Sequence, residues 1–139
     1  MSVAYRIEKD FDPGLLAAAA RLYRIAGWVD EADDCGFLKG ALENSCAVCV
    51  ARDGNGTLVG LGRALGDGVS DAYIQDVIVD PAFRRRGVGG AIVRELVAEL
   101  RRRGVDWIAL VGEPGTGEFY RSLGFRAPEG FTFWRYPDE

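Results

Sequence analysis

The residues best suited to chemistry in this sequence stand in one short basic and glycine-rich segment. Three arginines are followed by three glycines within four positions: Arg84, Arg85, Arg86, Gly87, Val88, Gly89 and Gly90. A helix that begins here presents main-chain N–H groups without intrahelical partners, together with partial positive charge. The glycines let a ligand approach the backbone closely, and the arginines add fixed charge. The segment therefore predicts a site for a phosphate or pyrophosphate group.

Two common phosphate-binding loops do not fit this segment. A Walker A loop requires Gly-Lys-Ser/Thr, which is absent, and the dinucleotide pattern requires glycine at position 92, where Ile92 stands. A tight strand-to-helix turn that binds no ligand would also use glycines. That structural alternative stays open at this point.

The titratable residues restrict the chemistry further. The chain has no histidine, so acid–base work must fall to carboxylates, tyrosine or water. Its three cysteines are Cys35, Cys46 and Cys49, and the last two form a C-x-x-C within an apolar run that predicts a strand. Residues three apart in a strand point to opposite faces, and no second pair accompanies them. We therefore predict packed thiols, without metal binding, redox chemistry or covalent catalysis.

Periodicity and turn signals predict the elements that position the basic segment. Asp12 and Pro13 form the cap and first position of a helix that ends near Gly27, and Asp-Gly-Asn-Gly at 53–56 indicates a hairpin. The predicted strands are residues 3–8, 46–51, 57–64, 72–79, 107–111 and a final strand or two within 130–136. The predicted helices are residues 13–25, 36–43, 88–100 and 118–123. This order indicates a mixed α/β fold in a single domain over residues 1–139.

Bulk composition excludes some classes of protein. Hydrophobic residues make up 48% of the 139 residues, which is enough for a packed core. No run approaches the roughly 18 apolar residues of a membrane-spanning helix, and the net charge of −4 argues against nucleic-acid binding through overall basicity. Residues 1–8 contain no basic run followed by an apolar one, so we expect a cytoplasmic protein. We expect neither nucleic acid nor a membrane as a partner.

Two motifs resemble those of a known family. The run from Arg84 to Gly89 resembles the R/Q-x-x-G-x-G/A acetyl-CoA signature of the GNAT superfamily of N-acetyltransferases, and residues 76–81 resemble the strand that leads into it. Residues 119–125, Phe-Tyr-Arg-Ser-Leu-Gly-Phe, are similar to the family's F-Y-x-x-x-G-F segment. The resemblance covers nearly the whole chain, because the order and spacing of the elements also agree.

This resemblance implies an α/β (mixed α+β) fold with a splayed mixed sheet flanked by helices, and coenzyme A held in the opening of the sheet. It implies that the main chain of Val77, Ile78 and Val79 lines the pantetheine and acetyl group, and that the N–H groups of residues 85–90 hold the pyrophosphate. Tyr120 matches the tyrosine that many members use as a general acid. Glu113 stands where many members carry asparagine, so we do not expect a coenzyme A contact there.

The implied activity is acetyl-CoA-dependent N-acetylation of a primary amine, on a small molecule or a protein, by direct attack and without a metal. An alkylamine has a pKa of about 10.4, so its deprotonation at pH 7 costs on the order of 4–5 kcal/mol. Asp76, directly before the strand end that lines the acetyl group, is the first candidate base, and Glu113 and water are the alternatives. Asp76 could instead make a structural hydrogen bond, and Tyr120 could be a core aromatic. The alternative function is an acyl-CoA-binding sensor with little activity.

The resemblance also places the acceptor pocket between the first two helices and the final strand. The candidates there are Trp28, Asp33, Asp34, Phe131, Phe133 and Trp134. Their charges and rings suit a small cationic or aromatic amine. An exposed final strand would also support a homodimer through edge pairing, which the sequence leaves open.

Overall fold

The computed structural model describes residues 2–138. Its strands are β1 Ala4–Ile7, β2 Ala47–Arg52, β3 Leu58–Gly66, β4 Asp71–Val79 and β5 Trp107–Leu110. Its helices are α1 Pro13–Ile25, α2 Phe37–Glu43, α3 Val88–Arg102 and α4 Gly117–Ser122, with a 3₁₀ turn at Pro81–Phe83. The predicted order of elements is confirmed from β1 to α4. The Asp12 cap is also confirmed, since its Oδ1 accepts a hydrogen bond from the Leu15 N–H at 2.8 Å.

The five strands form one mixed sheet in the order β1-β2-β3-β4-β5. The first four are antiparallel neighbours, and β5 runs parallel to β4. The β4–β5 pairing extends only from Asp71 opposite Trp107 to Ile74 opposite Leu110. Within residues 2–138, residues 75–79 therefore have no neighbouring strand on that side, and the sheet is splayed open there. The predicted mixed α/β fold with a splayed sheet is confirmed.

Helices cover both faces of the sheet. The core under α1 and α2 includes Leu22, Leu38, Leu42, Val50 and Leu61. The core under α3 includes Val59, Ile74, Ile92, Leu96 and Leu100. The helix α3 lies close to β3 because glycines on β3 face it. A Cβ at Gly62 would lie only 2.7 Å from the Ile92 Cγ2 atom.

A β-bulge interrupts β4 just after the point where β4 and β5 separate. Arg63 pairs with Gln75 and Leu61 with Ile78, so two residues of β4, Asp76 and Val77, stand opposite a single residue of β3. Asp76 has a positive φ of 54°. The extra residue reverses the alternation of side chains along the strand. Ile78 consequently packs under α1, whereas Val77 packs against the α3 core.

The predicted final strand within 130–136 is wrong. The described chain contains no strand after β5, and residues 126–138 are mostly exposed. The segment Phe131–Tyr136 has the composition of a strand, but β-propensity mainly expresses packing against neighbouring strands, and none lies beside it here. No helix among residues 2–138 has the length and hydropathy needed to cross a membrane.

Candidate active site

The beginning of α3 leaves a row of main-chain N–H groups without partners. Gly87, with φ of 76°, is the N-cap and makes no side-chain cap, and Arg85 has φ of 64°. Within residues 2–138, the N–H groups of residues 85–90 donate no hydrogen bond, and the helical ladder begins with Ala91 N–H to the Gly87 carbonyl at 3.0 Å. We call these six donors the N–H cradle. Such a cradle is suited to a phosphate group.

Asp80 fixes the turn that leads into the N–H cradle. Its carboxylate accepts from the Ala82 N–H and from the Arg21 guanidinium of α1, both at 2.9 Å, and its own N–H donates to the Val59 carbonyl at 2.7 Å. Burial alone would raise the pKa of Asp80, but the hydrogen bonds from Ala82 and Arg21 hold it below its ordinary value. The carboxylate therefore stays charged at neutral pH and joins the turn to α1 and β3.

The side chains of Arg84, Arg85 and Arg86, at the start of the cradle, are exposed. The Arg86 guanidinium lies 5.1 Å from the centre of the Phe83 ring, a cation–π contact that orients it. Val79 lies against the helix start, because a Cβ at Gly89 would be 3.5 Å from both Val79 and Phe119. The structure thus brings the strand end at Val77–Val79, residues 84–90 and α4 together.

Tyr120 is half-buried on the α3 side of the sheet. Its ring meets Phe119 and Phe125 edge-on, with centroids 4.9 and 5.9 Å away. Burial and then the negative charge of Glu113 raise the pKa of Tyr120 above its ordinary value of 10.0. Its hydroxyl makes no hydrogen bond within residues 2–138. The Tyr120 hydroxyl therefore stays protonated, and able to donate a hydrogen bond, over the whole physiological pH range.

Asp76 lies on the other side of the sheet, in a network that the sequence did not reveal. Its Oδ2 accepts from the Tyr23 hydroxyl at 2.9 Å and from Arg63 Nε at 2.8 Å. Arg63 also reaches the Ala41 carbonyl and the Ser45 hydroxyl at 3.4 Å, which ties Asp76 to α2. A lone arginine within the apolar strand β3 was a signal for such a carboxylate partner. No hydrogen bond joins Asp76 to Tyr120.

Aromatic rings surround the Tyr23 end of this network. Tyr23 meets the rings of Trp28 and Phe37 edge-on at 5.5 and 6.2 Å, and both of these side chains are about half exposed. Of the other acceptor candidates, Asp33 and Asp34 accept hydrogen bonds from the main chain of their own loop. The aromatic acceptor candidates Phe131, Phe133 and Trp134 are exposed and do not line this site in the described chain.

The cysteines take no part in this site. Cys35 and Cys49 are buried, and all three thiols are free. Burial raises the pKa of the Cys49 thiol to about 12, so it remains protonated and unreactive at neutral pH. Residues 2–138 contain no cluster of side chains that could hold a metal ion.

The fold and the site together are typical of a mixed α/β protein that binds a diphosphate-containing ligand beside an open sheet. A family model described as the Acetyltransferase (GNAT) family matches residues 7–125. The chain belongs to this family, and the resemblance drawn from the two motifs is confirmed.

Individual relatives agree with this assignment. Serotonin N-acetyltransferase 2, chloroplastic, from Oryza sativa subsp. japonica is 43% identical over 105 residues, 70% of this chain and 52% of that protein. Histone acetyltransferase TAP1 from Glycine max is 42% identical over 84 residues, 58% of this chain and 36% of that protein. The chain thus spans about half or less of these curated relatives. The solved GNAT acetyltransferase SP0256 from Streptococcus pneumoniae TIGR4 has a TM-score of 0.80 at 27% identity, covering 99% of this chain and 100% of that one.

Proposed function

We propose that this protein transfers the acetyl group of acetyl-CoA to a primary amine by direct attack. The observation that carries the proposal is the N–H cradle at residues 85–90, whose six donors have no partner in the part of the chain that the structure describes and lie beside the open end of β4. Acetyl-CoA suits both features, since its pyrophosphate requires donors and its pantetheine arm requires a free strand edge. Cytoplasmic location and a single domain over residues 1–139 stay predictions.

The residues of the cradle fit acetyl-CoA in chemical terms. The cosubstrate supplies the activated acetyl thioester. The N–H groups of residues 85–90 would hold its pyrophosphate, with the charges of Arg84, Arg85 and Arg86 at the start of the cradle. The main chain of residues 77–79, free of β5, would bind the pantetheine arm and orient the thioester carbonyl.

The acceptor amine has to lose a proton before it can react, and we assign Asp76 as the first candidate to accept it. Both hydrogen bonds to Asp76 reach Oδ2, and none reaches Oδ1 within the described chain. Oδ1 can therefore take the proton directly or through a water. Glu113 is exposed on the other side of the sheet, near Tyr120, and remains the second candidate.

Tyr120 is the proposed donor to the leaving thiolate. A thiol has an ordinary pKa of about 8.5 and a tyrosine about 10, so complete proton transfer is uphill by about 2 kcal/mol. The raised pKa of Tyr120 increases that difference. We therefore assign Tyr120 a hydrogen bond that stabilises the thiolate, with the proton following as the thiol departs.

The acceptor that best fits the aromatic end of the site is an amine with a flat or apolar part. Trp28 and Phe37 offer half-exposed ring surface beside Tyr23, and Asp76 supplies negative charge. A cationic amine gains from both features. Two relatives carry names that specify serotonin and histone, so arylalkylamines and lysine side chains are the two acceptor classes to compare.

A transfer assay separates this proposal from the acyl-CoA-binding sensor. The protein is incubated with labelled acetyl-CoA and with an arylalkylamine, a polyamine or a lysine peptide, and acetyl-amine product is quantified against acetyl-CoA hydrolysis. We expect amine-dependent product, with the arylalkylamine preferred. Tight acetyl-CoA binding without product from any amine would establish the sensor instead.

A further inference from the structure

A cavity lies at the end of the sheet that is remote from the N–H cradle. It has a volume of about 370 Å³ and is lined by residues within 7–11, by residues within 42–48, and by Glu99 and Arg103 at the end of α3. The helix α3, 15 residues and about 22 Å long at 1.5 Å per residue, separates it from the cradle. Its volume lies within the range of about 300–1,000 Å³ of small-molecule sites. We call it the distal cavity.

The distal cavity arises because β1 is shorter than β2. The pairing of the two strands ends at Ile7 opposite Cys49. Within residues 2–138, no strand therefore lies beside residues 46–47 on that side, and the cavity occupies the gap. Phe11 and Leu42 contribute apolar surface to its wall. A wall of this kind is suited to the body of a small organic ligand.

The carboxylates in the wall of the distal cavity already have cationic partners. Each of the three forms an ion pair within 3.3 Å: Glu8 with Arg52 at 3.3 Å, Glu43 with Lys39 at 3.0 Å, and Glu99 with Arg103 at 2.7 Å. A cationic ligand would have to compete with these partners for every carboxylate. The negative charges of the wall therefore do not favour a cation as the ligand.

The two cationic side chains of the wall have donors without partners. The ammonium group of Lys9 forms no ion pair and no hydrogen bond within residues 2–138. Arg103 is fixed by two hydrogen bonds, from Nε to Glu99 and from Nη1 to the Cys46 carbonyl, whereas its Nη2 donates none in the described chain. Its side chain is 30% exposed. A guanidinium held in place beside a second cation is suited to a carboxylate.

We propose that the distal cavity binds a small organic carboxylate with an apolar body. The carboxylate of the ligand would accept hydrogen bonds from Arg103 Nη2 and from the Lys9 ammonium, and its body would lie against Phe11 and Leu42. Inorganic phosphate would find the same donors but would leave the apolar wall uncovered. The site is independent of the proposed transfer reaction, because neither the cradle residues nor the proposed catalytic side chains line it.

Titration with phenylacetate, followed through the amide chemical shifts of the protein, tests the site without using activity. We expect saturable shifts in residues 7–11 and 42–48 and around Glu99 and Arg103. Phenylacetamide lacks the charge, acetate lacks the ring, and inorganic phosphate lacks any apolar body, so we expect each to bind about tenfold more weakly or worse. No saturable shift in these residues up to about 20 mM phenylacetate, shifts confined to the cradle, or equal binding of phenylacetamide would each overturn the proposal.

Substitution of the two cations gives a second test of the same site. We expect Lys9→Met and Arg103→Met each to weaken phenylacetate binding by about fivefold or more. Lys9 is exposed, so its replacement keeps the test decisive even if Arg103→Met fails to fold. Arg101→Met is the matched control, because Arg101 is an exposed cation near the same end of α3 and does not line the cavity. Unchanged affinity in Lys9→Met, or an equal loss in Arg101→Met, contradicts the proposed site.

Discussion

Tyr120 lies on the α3 face of the sheet, and the carboxylate of Asp76, a residue of β4, lies on the opposite face beside Tyr23 of α1. Tyr120 packs against Phe119 and Phe125, and its hydroxyl makes no hydrogen bond in the described chain, so its O–H is available to donate to a bound ligand. Oδ2 of Asp76 accepts two hydrogen bonds, whereas Oδ1 accepts none within residues 2–138. This difference in surroundings supports the proposal that Tyr120 donates a proton and Asp76 accepts one in the same reaction.

At the residue scale, Tyr120→Phe tests the donor. We expect kcat to fall on the order of 100-fold, as for loss of a general acid, with the affinity for acetyl-CoA unchanged. Because the pKa of Tyr120 lies above 10.0, the wild-type rate should rise with pH as the amine deprotonates and should decline only above that value. The decline should be missing in the variant. An unchanged kcat at every pH contradicts the role of Tyr120.

Tyr23→Phe tests whether the network around Asp76 positions the base. The substitution keeps the ring contacts and removes one donor to Oδ2. Hydrogen bonds to charged groups contribute about 1.5–3 kcal/mol, so kcat/KM for the amine should fall by about tenfold or more and its pH profile should shift. Tyr5→Phe is the matched control, since the Tyr5 hydroxyl makes no hydrogen bond in the described chain. Equal effects of the two substitutions would argue against a positioning role.

At the scale of elements, the close packing of α3 on β3 positions the N–H cradle against the sheet. Gly60 and Gly62 make this approach feasible, because a Cβ at either would lie within 3.0 Å of an Ile92 methyl group. The turn held by Asp80 then sets where the helix begins. The site therefore depends on glycines in the middle of a strand as well as on those in the motif.

Gly62→Ala tests this packing. The added methyl would press on Ile92 Cγ2 at 2.7 Å, and overpacking of this kind costs about 1–3 kcal/mol. We expect the free energy of unfolding, measured in urea, to fall by about 1–2 kcal/mol after the entropic gain of alanine. Gly54→Ala is the control, because a Cβ there meets nothing within 4 Å. A Gly62→Ala protein as stable as this control would contradict the packing.

The helices and the hairpin could be predicted because their signals are local. Asp12 caps the helix that it precedes, and the carboxylate of Asp53 accepts from Asn55 and Thr57 within the same turn. The cradle was predictable for the same reason, since its residues are consecutive. The network at Asp76 was not, because Tyr23 lies 53 residues away along the chain. The bulge and the absent final strand likewise depend on which strands become neighbours.

At the scale of the whole molecule, an acidic protein carries a cluster of positive side chains at the beginning of α3. The net charge is −4, yet three arginines stand together at the start of the cradle. A local positive field within an acidic surface favours an anionic ligand there over nonspecific polyanions. The central claim is therefore that the main chain at the beginning of α3 binds the pyrophosphate of acetyl-CoA.

The most direct test compares one substitution at each end of α3 by calorimetry with acetyl-CoA. Gly87 and Gly104 have φ of 76° and 89°, and a Cβ at either would meet nothing within 4 Å. Gly87→Val and Gly104→Val thus impose similar backbone strain, but only the first disturbs the cradle. We predict that Gly87→Val weakens acetyl-CoA binding by about tenfold or more, at about 1.4 kcal/mol per factor of ten, and that Gly104→Val leaves it unchanged. Wild-type affinity in Gly87→Val would contradict the account.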